Sequence, residues 1–184
     1  IGLLDPDESI WETCVLGKPV LGGDELLGNL RSEGVDRAFL GVGSTGDTTL
    51  RRVVFENACG EGFEILTVRH AAAYVSAKST LGEGTVVLAN ATVGPDARVG
   101  RNVAINAGAV VEHDAVVEDH TQIATGALLC GGVHIGLGAH IGAGASIKQG
   151  VRVGDGATVG SGAAVIRDVE AGSVVVGVPA RRIR

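Results

Sequence analysis

The chain has 184 residues, 45% of them hydrophobic, enough for one large domain or two small ones. It contains 30 Gly but only one Trp, one Tyr and three Phe, so Val, Ile, Leu and Ala must fill a narrow, regular core. The net charge of −6 argues against nucleic-acid binding, because the only basic cluster is the terminal ARRIR.

Three cysteines without metal-ligand spacing, and the lack of a signal sequence or a long apolar run, indicate a reduced, cytoplasmic setting without membrane insertion. The chain contains no Met and opens on the strand-like segment IGLLD. We therefore expect that it begins inside its first domain and lacks an upstream piece.

Residues 1–72 alternate between predicted strands and predicted helices. IGLLD and RAFLGVG are typical of buried parallel strands, and DELLGNLRSEG and TTLRRVVFENACGEG of amphipathic helices that end at Gly. FEILTVRH predicts a last strand that leads into the next region. This alternation predicts a small α/β domain with a partial Rossmann-like parallel sheet.

An uninterrupted six-residue repeat occupies residues 73–170. Sixteen positions in steps of six, from Val75 to Val165, are all aliphatic, and the position four residues after each is always small or β-branched. Gly often follows the aliphatic residue, where a side chain is unwanted or the dihedrals are unusual. Such a period fits short strands joined by sharp corners. Residues 171–184 predict a cap with one further strand and a basic tail.

The repeat resembles that of the left-handed parallel β-helix, in which three hexads form one triangular coil of eighteen residues. Sixteen hexads then give a little over five coils, and residues eighteen apart stack vertically. The stretch NAGAVVEHDAVV, residues 106–117, places His113 within the repeat. Gly131, eighteen residues later, is therefore expected on the same corner, one coil further on.

The β-helix alone does not fix a function. However, a short α/β domain, a repeat without insertions, the motif N-x-x-x-V-V-E-H-D and a terminal VGVPAR together resemble the sugar O-/N-acyltransferases of the sialic acid O-acetyltransferase type. That family includes N-acetyltransferases acting on nucleotide-linked 4-amino sugars. The resemblance implies acetyl-CoA as co-substrate, a nucleotide sugar as acceptor, direct transfer, and a homotrimer with active sites between subunits.

The resemblance also assigns residues. His113 is the general base, and Asp114 orients it, with Glu112 as a weaker candidate for that role. Gly131 lets the thioester approach the backbone. The implied acetyl-CoA contacts are Gly131, Cys130, Gln122, Gly142, Gly160, Gly177, Pro179, Ala180 and Arg181, with Gln122 standing where relatives often carry a second His. The implied acceptor contacts are Asp5, Asp7, Gly41, Gly43 and Asn106, and the family's first strand and Gly-rich turn are absent.

Alternatives remain open. The acceptor could be sialic acid or another sugar, modified on oxygen. A zinc carbonic-anhydrase-like chemistry is a second alternative, although His134 and His140 occupy different faces of one coil and cannot share an ion within the chain. A purely structural prism is the third. We interpret His70 and His120 as surface or linker residues, and Cys130 as a small packed residue.

Overall fold

The structure, a computed structural model, describes residues 1–44 and 46–184. Its first part alternates short strands and helices, as the sequence predicts. The elements are β1 Leu3–Leu4, β2 Cys14–Val15, β3 Lys18–Gly22, α1 Leu27–Ser32, β4 Arg37–Ala38, α2 Thr49–Gly60 and β5 Glu64–Ile65, with 3-10 turns at Glu8–Ile10 and Asp24–Leu26. Parallel pairing of β1 with β3 and of β4 with β5 confirms the α/β class.

The parallel strands form two small sheets, ordered β1-β3-β2 and β4-β5. The expectation that IGLLD is buried is wrong: Leu3 is 38% exposed, because β1 is a two-residue edge strand. Sequence analysis also missed the hairpin of β2 and β3. It turns at Leu16 and Gly17, which have φ values of 49° and 74°, as a type I′ turn requires.

The second part is a left-handed parallel β-helix, called the prism below, whose strands recur every six residues from Val68 to Val165 and are followed by two further strands at longer spacing. They are β6 Val68–Arg69, β7 Tyr74–Val75, β8 Thr80–Leu81, β9 Val86–Val87, β10 Thr92–Val93, β11 Arg98–Val99, β12 Ala104–Ile105, β13 Val110–Val111, β14 Val116–Val117, β15 Gln122–Ile123, β16 Leu128–Leu129, β17 His134–Ile135, β18 His140–Ile141, β19 Ser146–Ile147, β20 Arg152–Val153, β21 Thr158–Val159, β22 Ala164–Val165, β23 Val174–Val176 and β24 Arg181–Arg182.

The strands form three faces. Face A runs from β7 to β22 in steps of three strands, and face B from β8 to β20. Face C holds β6, β9, β12, β15, β18, β21, β23 and β24. We call the turns between successive faces corners AB, BC and CA. Val93, Val111 and Leu129 pair in register along face A, so residues eighteen apart do stack.

Both ends of the prism differ from the prediction. FEILTVRH is two strands, since β5 pairs with β4 whereas β6 already pairs with β9 on face C. The basic tail is a strand as well, because β24 pairs antiparallel with β23. No helix in the described ranges has both the length and the apolar character needed to cross a membrane.

The interior of the prism is filled by the two restricted positions of the repeat. Aliphatic residues such as Val93 and Ile105 are fully buried, and so are small residues such as Ala91 and Ala109. The small residues therefore fill the space inside the corners. Outward-facing strand positions lie outside this core and can vary without disturbing it.

Glycine recurs at two different corner positions of the repeat. A Cβ on Gly82 or Gly142, each directly after an inward aliphatic residue, would lie 2.5–2.6 Å from backbone of the next coil, so a side chain is sterically excluded there. Positive φ falls two residues later, in steps of six from Gly84 to Gly162. Most of these positive-φ positions are Gly, and the exceptions are Asn90, Asp96, Asn102, Asp114 and His120.

Helix α2 packs on corner BC. Its buried residues Arg51, Phe55 and Ala58 lie on one helical face. A Cβ on Gly84 would come within 2.7 Å of the Phe55 ring, so glycine is required there by packing as well as by its φ of 71°. One coil further, Asn102 Nδ2 donates to Arg51 O (3.5 Å).

The loop that precedes α2 continues this contact. Thr48 Oγ1 donates to Gly138 O (3.1 Å) at corner BC, and Gly46 N donates to His140 Nδ1 (3.3 Å) on face C. The α/β domain is thus held on one corner and one face of the prism, and corner AB lies elsewhere on the triangle.

Candidate active site

His113 and Asp114 form a hydrogen-bonded pair at corner AB, directly after β13. His113 Nδ1 lies 2.8 Å from Asp114 Oδ2, and the two side chains are 51% and 67% exposed. The hydrogen bond to Asp114, with the charges of Asp114 and Glu112, raises the pKa of His113. An ionised carboxylate only accepts hydrogen bonds, so Nδ1 carries the proton in the neutral ring and Nε2 is left as the basic nitrogen.

Asp114 is held by its backbone as well as by its side chain. It occupies a positive-φ position (58°), where Asp is one of the few tolerated residues other than Gly. Its N–H donates to Pro95 O (3.1 Å) in the preceding coil. Glu112 instead accepts from the backbone N–H of His113 (3.3 Å), so its carboxylate contacts the backbone and Asp114 contacts the ring.

Gly131 lies under the imidazole of His113, where the eighteen-residue spacing predicts it. A Cβ on Gly131 would come 2.5 Å from Cε1 and Nε2 of His113, so only glycine admits the ring. Gly131 O accepts from Gly150 N (3.1 Å), whereas the N–H of Gly131 has no hydrogen-bond acceptor among the described residues. Its neighbour Cys130 is half-buried and donates its N–H to Ile147 O (3.1 Å).

Gln122 has a partner within the chain. Its side chain is buried on face C, and Oε1 accepts from Ser44 Oγ (2.8 Å) of the loop before α2. The neighbouring strand places His140 beside it, and burial lowers the pKa of His140. The Gln122 amide thus contributes to holding the loop on the prism.

The other residues assigned to acetyl-CoA lie at two places. Gly142 and Gly160 are on corner CA, and added Cβ atoms would lie 2.6 Å from Ser161 N and 2.7 Å from Val176 Cγ1, so packing alone already requires both glycines. Gly177 and Pro179 belong to the turn between β23 and β24. Beside that turn is a pocket of about 310 Å³, whose lining includes Val165, Ala180, Arg181 and Arg182.

The residues assigned to the acceptor are also spread over the chain. Asp5, after β1, accepts from Asp7 N (2.9 Å). Asp7 caps the 3-10 turn that follows, and its hydrogen bonds from Ser9 lower its pKa. Gly41 and Gly43 are exposed in the loop after β4.

Asn106 lies on corner CA, and its Nδ2 donates to Ile123 O (3.0 Å) in the next coil. Within one chain, this corner is a different edge of the prism from the His113 corner. The single chain therefore brings together His113, Asp114, Gly131 and Cys130, but not the remaining assigned residues.

His120 does not lie where the sequence predicts, and the burial of Arg51 was not predicted. His120 is half-buried on corner BC, its Nδ1 lies 2.9 Å from Asn102 Nδ2, and its ring meets Phe55 edge-on at 5.6 Å between centroids. Its interpretation as a surface or linker residue is wrong, because α2 covers this corner. Arg51, buried on α2, gave no sequence signal beyond its place on the helical face that faces the core.

Within residues 1–44 and 46–184, no group of three His, Cys, Asp or Glu side chains is arranged to hold a metal ion. His134 points outward from face B, with Nε2 3.4 Å from Glu118 Oε1. His140 lies on face C under Gly46. The two histidines occupy different faces, as expected from their six-residue spacing.

A known protein family and several solved structures are similar to this chain. The model of the bacterial transferase hexapeptide family (six repeats) matches residues 78–113. The solved acetyltransferase domain of PglB from Neisseria gonorrhoeae FA1090 is 34% identical to this chain and has a TM-score of 0.90, covering 99% of this chain and 86% of that chain. The chain belongs to the hexapeptide-repeat sugar acetyltransferases.

Two further solved structures resemble this acetyltransferase over almost its whole length. PerB from Caulobacter crescentus, in complex with CoA and GDP-perosamine, is 34% identical with a TM-score of 0.89, covering 100% of this chain and 84% of that chain. WeeI from Acinetobacter baumannii AYE is 28% identical with a TM-score of 0.85, covering 98% and 85%. No curated protein sequence matches the acetyltransferase significantly. The family expected from the motifs is thus confirmed.

Proposed function

We propose that this acetyltransferase transfers acetyl from acetyl-CoA to the amino group of a nucleotide-activated amino sugar in bacterial surface glycan synthesis, with His113 as general base. The observation that carries the proposal is the exposed His113–Asp114 pair lying on the bare backbone of Gly131. The similarity to PerB, solved with CoA and GDP-perosamine, and to the PglB domain, solved with acetyl coenzyme A, supports both substrates.

Acetyl-CoA supplies the acetyl group as a thioester. The acceptor amine forms a bond to the carbonyl carbon, and the carbon–sulfur bond breaks without a covalent enzyme intermediate. His113 Nε2 takes the proton that the nitrogen loses and can return one to the departing sulfur, while Asp114 stabilises the protonated ring. General acid–base catalysis of this kind contributes about 10²- to 10⁴-fold.

Gly131 has two uses in this mechanism. Without a side chain, it admits the imidazole against its backbone, so that Nε2 of the proposed base lies at this residue. Its N–H is unused by the described residues and is our candidate donor to the carbonyl oxygen, where negative charge develops. Base and donor on one corner, one coil apart, are what acyl transfer requires.

We further propose a homotrimer with active sites between subunits. Corner AB carries the base, whereas corner CA carries Asn106, Gly142 and Gly160, and within one chain these are different edges. Corner AB of one subunit facing corner CA of the next would complete the site. Closed ring symmetry leaves no open interface.

The acetyl-CoA path in this proposal runs along Gly142 and Gly160 toward Gly177, Pro179 and the pocket beside Ala180 and Arg181. The Arg181 guanidinium is a suitable partner for phosphate. Cys14, Cys59 and Cys130 are free thiols, which fits the cytoplasmic setting that we propose.

A panel assay tests the function. Thiol release from acetyl-CoA is followed with nucleotide-linked 4-amino sugars, free amino sugars and sialic acid, using wild type and His113→Ala. Turnover with a nucleotide-linked amino sugar that is lost in the variant supports the proposal. Preference for sialic acid would favour O-acetylation instead. No turnover above the variant with any acceptor, or stoichiometric zinc with carbon dioxide hydration, would overturn the proposal.

A further inference from the structure

Arg51 is a buried cation whose described hydrogen bonds all go to backbone carbonyls. Arg51 is only 5% exposed. Nη1 donates to Leu40 O (3.2 Å) and Val42 O (2.7 Å), and Nη2 donates to Gly84 O (3.3 Å). Nε is buried without a partner among the described residues, and burial lowers the pKa of the guanidinium. Burying a charge without a carboxylate is costly, so this arrangement needs an explanation beyond filling space.

The three carbonyls belong to two parts of the molecule. Leu40 and Val42 lie in the loop after β4, whereas Gly84 lies on corner BC of the prism. One guanidinium therefore fixes the shape of the loop and its place relative to the prism. This matters for a transfer reaction, because an acceptor bound at the loop must lie at a defined distance from the catalytic corner.

The contacts also determine which way the loop's N–H groups point. The peptide bonds after Leu40 and Val42 are trans, so the C=O and N–H of each peptide group point in opposite directions. Because both carbonyls point at Arg51, the N–H groups of Gly41 and Gly43 point away from it. Both glycines are exposed, and neither N–H has an acceptor within the described residues.

We infer that Arg51 is a positioning residue that presents the N–H groups of Gly41 and Gly43 as paired donors to the phosphate groups of the nucleotide-activated sugar. Exposed glycine N–H groups bind phosphate oxygens well, since no side chain separates them from the ligand. A Cβ on either glycine would meet nothing within 4 Å, so the protein's own packing does not account for the two glycines. The inference rests on the proposed function for the identity of the acceptor.

The chain offers a matched control at the same interface. Arg101 lies over the Phe55 ring (5.1 Å) and pairs with Glu83 (2.7 Å), so it also joins α2 to the prism. None of its described hydrogen bonds goes to the loop carbonyls. Arg101→Met therefore disturbs the interface and spares the loop, whereas Arg51→Met removes the donors to the loop and keeps an apolar side chain.

The experiment is steady-state kinetics with both substrates varied, on wild type, Arg51→Met, Arg51→Lys and Arg101→Met. We expect Arg51→Met to raise KM for the nucleotide sugar roughly tenfold, with KM for acetyl-CoA and kcat within about twofold. Lysine keeps the charge but lacks the guanidinium fork, so Arg51→Lys should lie in between. Arg101→Met should match wild type in all three constants.

Calorimetric titration with GDP and UDP provides a readout without turnover. Whichever nucleotide binds wild type should bind Arg51→Met roughly tenfold more weakly, while CoA binds both proteins equally. If Arg51→Met does not fold, Arg51→Lys carries the same comparison, and thermal melts report the folded fraction of each variant.

Three results would overturn the inference. One is unchanged constants in a folded Arg51→Met. Another is a uniform loss of activity that follows the folded fraction, which would make Arg51 purely structural. In both cases wild-type turnover leaves the proposed function standing. The third, a wild type that acetylates no nucleotide sugar, removes the proposed function and the inference with it.

Discussion

Corners AB and BC of the prism have similar backbone geometry but different chemistry. Each places a residue other than Gly at a positive-φ position, Asp114 (58°) on AB and His120 (59°) on BC. On AB, the exposed His113 has its pKa raised by the hydrogen bond to Asp114. On BC, His120 is half-buried between Asn102 and Phe55, and burial lowers its pKa.

The two histidines differ because another part of the chain covers only one of the two corners. The inward residues beside His113 and His120, such as Val111 and Val117, are equally buried, so the core treats both corners alike. Helix α2 covers BC, whereas the side chains of His113 and Asp114 on AB are exposed. A histidine in this repeat can thus be exposed, as the proposed base His113 is, or packed against the other domain, as His120 is, and the repeat alone does not predict which.

The sharpest test of this contrast replaces each of the two histidines in turn. His113→Ala should lower kcat about 10²- to 10⁴-fold, because the base is lost, and should leave Tm unchanged, because the ring is exposed. His120→Asn, which tolerates positive φ, should keep kcat but lose about 1 kcal/mol of stability with the Phe55 contact. Thiol-release assays and thermal melts measure both. A catalytic loss in His120→Asn equal to that in His113→Ala would refute the division of roles.

Gly131→Ala should have the next largest effect. The new methyl group would displace the imidazole and with it the bond to Asp114, lowering kcat about 10²-fold without loss of fold. Gly60→Ala is the control, since a Cβ there meets nothing within 4 Å. Wild-type kcat in Gly131→Ala would mean that the ring works from another position.

Asp114→Asn separates charge from geometry, because Asn also accepts a positive φ. The carboxylate raises the pKa of His113, so its loss should lower that pKa and move the acid limb of the kcat/KM profile to lower pH. At neutral pH we expect about a fivefold loss, since the pair is exposed and screened. An acid limb that stays in place would mean that another group sets it.

The smallest effect concerns the pH dependence of the covered corner. His120 has a lowered pKa in the folded protein, so unfolding takes up a proton once the pH falls below the unfolded value near 6.5. The free energy of unfolding should therefore decrease as the pH is lowered from about 7 to the pKa of His120 in the folded protein. Melts at about pH 7.5 and 5.5 should show a smaller drop in Tm for His120→Asn than for wild type. His70→Asn, altered at an exposed turn, should behave as wild type, and an equal drop in all three would exclude His120 as the source.

The sequence predicts the prism and the stacking at its candidate catalytic corner because both depend on local periodicity. A fixed six-residue step determines which residues point inward, and the eighteen-residue sum places Gly131 under His113. These rules hold for any part of the repeat, so they need no knowledge of the rest of the molecule.

Contacts between the two domains could not be predicted in this way. Gln122 Oε1 accepts from Ser44 Oγ, and Arg51 Nη2 donates to Gly84 O. Each contact joins a segment of the α/β domain to the repeat, and the two segments share no period. The burial of His120 could not be predicted for the same reason. Its position in the repeat determines its backbone conformation, but only α2 determines its burial. Two-residue strands such as β2 carry too few side chains to show a pattern.

The stacking of Gly131 on His113 also limits how the length of this protein can change. Removing residues 118–123 would keep every later aliphatic residue pointing inward, since six residues are one whole repeat. Yet every later corner would shift by a third of a turn, placing Leu137 over the imidazole and moving Gly131 to another edge. The core keeps its pattern when the length changes by six residues, but His113 and Gly131 meet only when they are one coil apart. An insertion or deletion between them, even of a whole coil, would separate the two residues and should abolish the proposed catalysis.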